Sequence, residues 1–146
     1  MSSNKYDLER FVIAQEECYS VALEEIKSGH KKSHWIWFIF PQIEGLGFSP
    51  MSQKHAIKDA QEATLYMKHP ILGPRLIEVS EALLTLDTNN SIEVLGSIDS
   101  MKLRSCMTLF GEVCPEYDVF KKVLNKYYDG EKDAFTLRVL NKKVSH

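Results

Sequence analysis

The segment SHWIWFIFPQIEGLGFSPMS, residues 33–52, gathers side chains that could bind an aromatic ligand. It contains Trp35 and Trp37, whose flat faces can stack on a nucleobase or another planar ring. No acidic residue lies between Glu25 and Glu44, and the basic residues of that stretch are Lys27, His30, Lys31, Lys32 and His34. Lysines beside aromatic planes suit a phosphorylated aromatic ligand such as a nucleotide derivative.

The same segment continues into a loop rich in hydrogen-bond donors. Gln42 supplies an amide, Gly45 and Gly47 allow backbone N–H groups to approach an anion closely, and Ser49 supplies a hydroxyl. The loop matches neither of the standard phosphate-binding glycine motifs. The alternative interpretation is that the aromatic residues belong to the core and the lysines form a solvated edge.

A second candidate lies in GSIDSMKLRSCMTLFG, residues 96–111, which is predicted to be helical. Its apolar stripe consists of Leu103, Cys106, Met107 and Phe110. Ser105 and Thr108 lie almost opposite this stripe, with Lys102 and Arg104 on the two flanks. Hydroxyl groups edged by cations near a helix N-terminus can receive an anion. The alternative is an ordinary surface helix, whose outer face is polar in any case.

Gln15 interrupts the apolar face of the first predicted helix, where leucine or alanine would be expected. A buried amide needs partners, so Gln15 either bonds a loop backbone or points into a pocket. We predict that polar groups from three parts of the chain surround one cleft. His34 is the candidate acid–base residue of this cleft, or the candidate hydrogen-bond donor to a phosphate. The candidate ligand-binding residues are Gln15, Trp37, Gln42, Ser49, Lys102, Ser105 and Thr108.

Other kinds of site find little support in the sequence. The histidines do not share a helix with a carboxylate at metal-ligand spacing, so we expect no metal site, and we expect no cofactor. The cysteines Cys18, Cys106 and Cys114 form neither a disulfide pattern nor a CxxC pair. Cys106 lies on the apolar stripe and is interpreted as a small core residue.

Hydrophobic periodicity predicts an all-α fold of six or seven helices around one core. Helices are expected over residues 7–28, 53–67, 72–86, 92–95, 100–113, 115–128 and 133–140. Residues 35–40 resemble a buried strand, but no neighbouring segment could pair with it. We therefore expect one helical domain over residues 1–146, with its ordered core at about 7–140.

Composition excludes several classes of protein. The 146 residues carry 18 basic and 20 acidic side chains, a net charge of -2, which argues against a general nucleic-acid binder. The longest apolar run is too short to span a bilayer, and the start of the chain lacks the pattern of a signal peptide. Together with unpaired cysteines, these features predict a cytoplasmic protein without membrane association.

Five segments carry a resemblance to a known family: DLERFVIAQ, SHWIWFIFPQIEGLGFSPMS, HPILGPRL, DSMKLRSCMTLF and YYDGEKDAFTLRVL, in this order. They resemble the domain of unknown function 1810 family, small bacterial and fungal proteins that are often mislabelled calpastatin. The resemblance extends from Asp7 to about Leu140 and implies a compact multihelical domain. It brings no established activity. Members tend to have serine where this chain has Cys106, which argues against a catalytic side chain at that position.

Two functions remain open at this point. The first is a pocket protein, an enzyme or sensor that acts on a phosphorylated small molecule such as a nucleotide or an ADP-ribose-like compound. The second is a helical interaction module that uses the aromatic segment as its contact surface. A pocket requires Trp37, Gln42 and Ser105 to converge on a concavity, whereas an interface would place Trp35 and Trp37 on an open convex patch.

Overall fold

Helices account for nearly all regular structure in the protein. The computed structural model describes the backbone of residues 6–47 and 49–144 and the side chains up to residue 141. Within this part of the chain the helices are α1 (Glu9–Ser28), α2 (Ile36–Ile39), α3 (Pro50–Lys54), α4 (Ala60–Lys68), α5 (Leu72–Leu84), α6 (Ser91–Leu95), α7 (Ser97–Val113), α8 (Val119–Tyr128) and α9 (Ala134–Val144). The prediction of an all-α fold is confirmed, since the described residues form no strand beyond one isolated bridge. None of these helices has the length and hydropathy needed to cross a membrane.

The first helix follows its predicted pattern closely. Phe11, Val12, Ala22 and Ile26 recur at helical spacing and are buried against the rest of the core. The helix ends at Gly29, whose φ of 84° places it in the left-handed region that glycine adopts without strain.

The prediction of one continuous helix over residues 53–67 is wrong, because the helix is interrupted between α3 and α4. Ile57 lies in an isolated parallel bridge with Ile43, where Ile57 N–H donates to the Gln42 carbonyl at 2.8 Å. Asp59 then restarts the helix by accepting a hydrogen bond from the backbone N–H of Glu62. The bridge ties the loop after Gln42 to the segment before α4.

Helix α7 is the central element, because it packs against α2, α4, α6, α8 and α9. Most of its circumference is therefore buried, including the positions opposite its apolar stripe. The interpretation of residues 100–113 as an ordinary surface helix is wrong, since Ser105 is 3% exposed and Thr108 is fully buried. The first turns of α7 reach the surface at Ile98 and Met101, and its last turn does so at Glu112.

A buried ion pair holds the break between α3 and α4 in place. Arg10 on α1 donates to Glu62 Oε2 at 2.9 Å, and the Glu62 side chain is fully buried. The same guanidinium donates to the backbone carbonyls of Lys54 and Ala56, at 2.6 and 2.7 Å. A planar group with five donors is suited to bond three acceptors around the junction of α3 and α4.

The chain between α1 and α2 is organised by one carboxylate, that of Glu25. It accepts hydrogen bonds from the backbone N–H groups of Lys32 and Ser33, at 2.8 and 3.0 Å. It also accepts from the Ser33 hydroxyl at 2.6 Å and from the indole Nε1 of the fully buried Trp35 at 2.8 Å. Burial raises the pKa of the Glu25 carboxyl, but these hydrogen bonds to its charged form outweigh burial and lower the pKa to about 2.

Replacing Arg10 by methionine should destabilise the protein by ~3–5 kcal/mol, because it leaves the Glu62 carboxylate buried without its counter-charge. Urea unfolding monitored by circular dichroism measures the change. The double variant Arg10→Met/Glu62→Leu should be less destabilised than Arg10→Met alone, since no unpaired charge is left inside. A single variant within ~1 kcal/mol of the wild type would contradict the structural role of the pair.

Glu25 should make unfolding stability depend on pH in a defined window. Its pKa is lower in the folded chain than the ordinary value of 4.5, so its stabilisation is complete above about pH 4.5 and is lost as the pH falls towards about 2. Urea titrations of wild type and Glu25→Gln should show a stability gap that narrows across this window. Glu24→Gln removes an exposed carboxylate from the same helix and is the matched control. A gap that stays constant down to pH 3 would show that Glu25 is not the titrating group.

Candidate functional site

Two adjacent clefts lie between the aromatic segment and the first turns of α7. The first, which we call the cationic cleft, has a volume of about 440 Å³ and is lined by Lys31, Lys32 and His34 on one side. Its other side is the N-terminus of α7, including Asp99. The Glu25 hydrogen bonds fix the backbone of this loop and thereby the position of the lysines and of His34.

The second cleft, which we call the aromatic cleft, has a volume of about 520 Å³. Gln42 and Ser49 line it from the loop, and Ser105 and Met101 line it from α7. Asp133, at the start of α9, completes the wall.

Trp37, Ile98 and Lys102 belong to both clefts and form the ridge between them. Lys102 Nζ lies 4.6 Å from the centre of the Trp37 ring, a cation–π contact that holds the two side chains together. Lys102 also lies 3.6 Å from Asp99, and Asp99 forms a closer ion pair of 2.8 Å with Lys31. One carboxylate therefore joins the lysine of the loop to the lysine of α7.

Several polar groups of this region lack partners among the described residues. The indole Nε1 of Trp37 is buried without a hydrogen bond, which is unusual for a buried donor. The side-chain amide of Gln42 makes no hydrogen bond to another described residue. A ligand or water in the aromatic cleft would offer a partner to the Gln42 amide.

The loop that lines the aromatic cleft is tightly built. Ser49 caps α3 by accepting the backbone N–H of Ser52 at 3.2 Å, and the two hydroxyl groups are hydrogen-bonded to each other at 3.0 Å. A Cβ atom on Gly47 would lie 2.4 Å from Ser52 Oγ, so a side chain at Gly47 would displace the serine. Glycine is needed here for close approach.

The structure thus brings five of the predicted ligand-binding residues to one cleft: Trp37, Gln42, Ser49, Lys102 and Ser105. Their convergence from the aromatic segment and α7 agrees with the concave arrangement expected of a pocket. Whether they bind a ligand remains a prediction. His34, the candidate acid–base residue, lies in the adjacent cationic cleft and is exposed.

The prediction that Gln15 and Thr108 share this cleft is wrong. Gln15 is 1% exposed and donates to the Phe38 carbonyl and to Tyr66 OH, at 2.8 and 3.0 Å, so it bonds the backbone of the short helix α2 from inside the core, and not that of a loop. Thr108 accepts a hydrogen bond from the backbone N–H of Asp133 at 2.9 Å and so fixes the entry to α9. Both amide and hydroxyl are satisfied by the fold itself.

The catalytic possibilities of the site are limited by what surrounds His34. Among the described residues no carboxylate forms an ion pair with His34, and Asp99 is engaged with two lysines. Cys106 is fully buried, and burial raises the pKa of its thiol well above the ordinary value, which disfavours the reactive thiolate. No group of three or more potential metal ligands occurs in the part of the chain that the structure describes.

Sequence reasoning missed two features of the site. Glu25 was overlooked because its partners lie seven to ten positions further along the chain, outside any helical spacing. Ile98 and Met101 line the aromatic cleft and are 68% and 63% exposed. These two apolar residues are three positions apart and lie off the core stripe of α7, and this spacing could have indicated an exposed apolar face.

Comparison with known proteins supports the fold and leaves the activity open. The chain is similar to the conserved hypothetical protein Rv1873 from Mycobacterium tuberculosis, with 39% identity and a TM-score of 0.92, over 94% of this chain and 99% of that one. Among curated proteins, none matches the sequence significantly. The model of the family DUF1810, described as a protein of unknown function, matches residues 5–140. The chain therefore belongs to the DUF1810 family.

Proposed function

We propose that the two clefts together bind a phosphorylated small molecule with a planar group, such as a nucleotide or an ADP-ribose-like derivative. The observation that carries this proposal is the shared ridge, in which the Lys102 ammonium and the Trp37 indole stand side by side between a basic cavity and a more apolar one. A ligand with one anionic end and one planar end matches this division.

The cationic cleft is suited to the phosphate. It is lined by Lys31, Lys32 and Lys102 and by the N-terminus of α7. The N-cap of α7 is Gly96, so no capping side chain accepts a hydrogen bond from the free backbone N–H groups of the first turn. These groups and the helix dipole favour an anion.

The aromatic cleft is suited to the planar group and its sugar. Trp37 offers ring surface, and Gln42 offers an amide that can both donate and accept. Ser105 and Ser49 add hydroxyl groups at the wall, although each already has a hydrogen bond, Ser105 to the Met101 carbonyl and Ser49 to Ser52. Such groups orient a ligand more than they attract it.

His34 is proposed to donate a hydrogen bond to the phosphate or to act as an acid–base group in a reaction of the bound ligand. The absence of an orienting carboxylate on His34 within the described residues favours the first role. Binding is therefore the stronger part of the proposal.

The alternative, an interaction module, is favoured by the exposure of Ile98 and Met101, since exposed apolar side chains are common at interfaces. The aromatic segment contributes less to such a surface than expected, because Trp35 is fully buried and Trp37 is part of a cleft wall.

Binding should depend on Lys102 and Trp37. We expect AMP to bind more tightly than adenosine, and Lys102→Met or Trp37→Ala to weaken AMP binding at least about tenfold, through loss of the counter-charge or the ring surface. Isothermal titration calorimetry measures the affinities. Trp37→Ala should cost less folding stability than the ~3–5 kcal/mol of a fully buried tryptophan.

The control for this experiment is Lys121→Met, which removes an exposed lysine of α8 outside the clefts. Equal affinity for AMP and adenosine, or AMP binding that survives both cleft variants, would remove the basis for a phosphate-binding function. Binding of neither compound, nor of ADP-ribose, would favour the interaction module.

A further inference from the structure

A third cleft, with a volume of about 600 Å³, lies beside the first turns of α7. We call it the Arg104 cleft, and its wall includes Ser100, Arg104 and Tyr128. It shares Ser97 with the cationic cleft and Met101 with the aromatic cleft, so it is contiguous with both. Nothing in the proposed function uses it.

Arg104 has unused hydrogen-bonding capacity. Its Nε is buried without a partner among the described residues. Its NH1 forms an ion pair of 3.4 Å with Glu131, whose side chain is 76% exposed. A long pair to an exposed carboxylate is weak and easily exchanged for another anion. Guanidinium groups with free donors favour phosphate or carboxylate partners.

The hydroxyl groups beside Arg104 are held in place and are uncharged. Ser91 and Ser100 share a hydrogen bond of 2.5 Å, and Tyr128 OH donates to the Ser100 carbonyl at 2.5 Å. Burial raises the pKa of Tyr128, so the phenol stays neutral and does not repel an anion. An anion that entered here would meet one cation and fixed polar groups.

The side chains between the clefts are apolar and exposed. Ile98 lines the cationic and aromatic clefts, Met101 lines the aromatic and Arg104 clefts, and both are more than half exposed. Residues 98 and 104 are separated by about 9 Å along the helix axis, at ~1.5 Å per residue. A single phosphate cannot reach both ends of that distance, whereas two phosphates separated by a sugar can.

We infer that the ligand passes over Ile98 and Met101, with one phosphate in the cationic cleft and a second phosphate, separated from the first by a sugar, against Arg104. The chemical class is a phosphodiester-linked dinucleotide with a 5′-phosphate, or the end of a longer strand of that kind. This inference rests on the proposed function, because the first phosphate occupies the cationic cleft.

The test compares three adenine nucleotides by isothermal titration calorimetry: AMP, ADP and the 5′-phosphorylated dinucleotide pApA. ADP is the matched control, since it carries about the same charge as pApA but holds its two phosphates adjacent. We expect pApA to bind the wild type at least about tenfold more tightly than ADP. In Arg104→Gln this ratio should fall to near one, while Lys121→Gln, an exposed charge change on α8, should preserve it.

The outcomes distinguish a failure of this inference from a failure of the proposed function on which it rests. If AMP and ADP bind in a Lys102-dependent way but pApA gains nothing over ADP, the second site is refuted and the first stands. A pApA advantage that persists in Arg104→Gln also refutes it. If no nucleotide binds the wild type, both ideas fail. Retained ADP binding by Arg104→Gln verifies that the variant is folded.

Discussion

The arrangement of the site depends on the hydrogen bonds that converge on the Glu25 carboxylate. Two backbone N–H groups, one hydroxyl and one indole nitrogen of the chain between α1 and α2 are all directed at it. Because an ionised carboxylate is an acceptor with several lone pairs, one side chain can replace the regular backbone pairing that this irregular segment lacks. The Glu25 carboxylate thereby fixes the positions of the lysines of the cationic cleft and of the aromatic residues that follow them.

Helix positions were predictable from periodicity because most helices pair a regular apolar stripe with a clear end signal, such as Gly29 after α1 or Gly96 after α6. The break between α3 and α4 was not, because it is imposed by Arg10 on α1 and by the bridge to Ile43. These partners are remote in sequence, and tertiary contacts override local propensity where they supply several hydrogen bonds at once.

The lining of the aromatic cleft was predictable where a polar or aromatic side chain departs from its local pattern. Lys102, Gln42 and Trp37 are of this kind. Gln15 departs from its pattern as strongly, yet its amide serves the Phe38 carbonyl in the core. A single sequence does not distinguish the two cases, since both satisfy the rule that buried polar groups find partners. Thr108 was predicted to line the cleft for a related reason. The buried surface of α7 extends almost all the way round the helix, which a helical wheel does not show.

Asp99, between Lys31 and Lys102, gives the cationic cleft a property that its lysines alone would not have. A basic cavity without an internal counter-ion would attract any polyanion in the cell, from nucleic acid to inorganic phosphate clusters. The carboxylate reduces that long-range field and leaves the lysines as short-range donors. An anion bound as proposed would have to compete with this carboxylate for the lysines, so its retention would depend on contacts beyond them. Discrimination among such anions would then rest on shape rather than on charge.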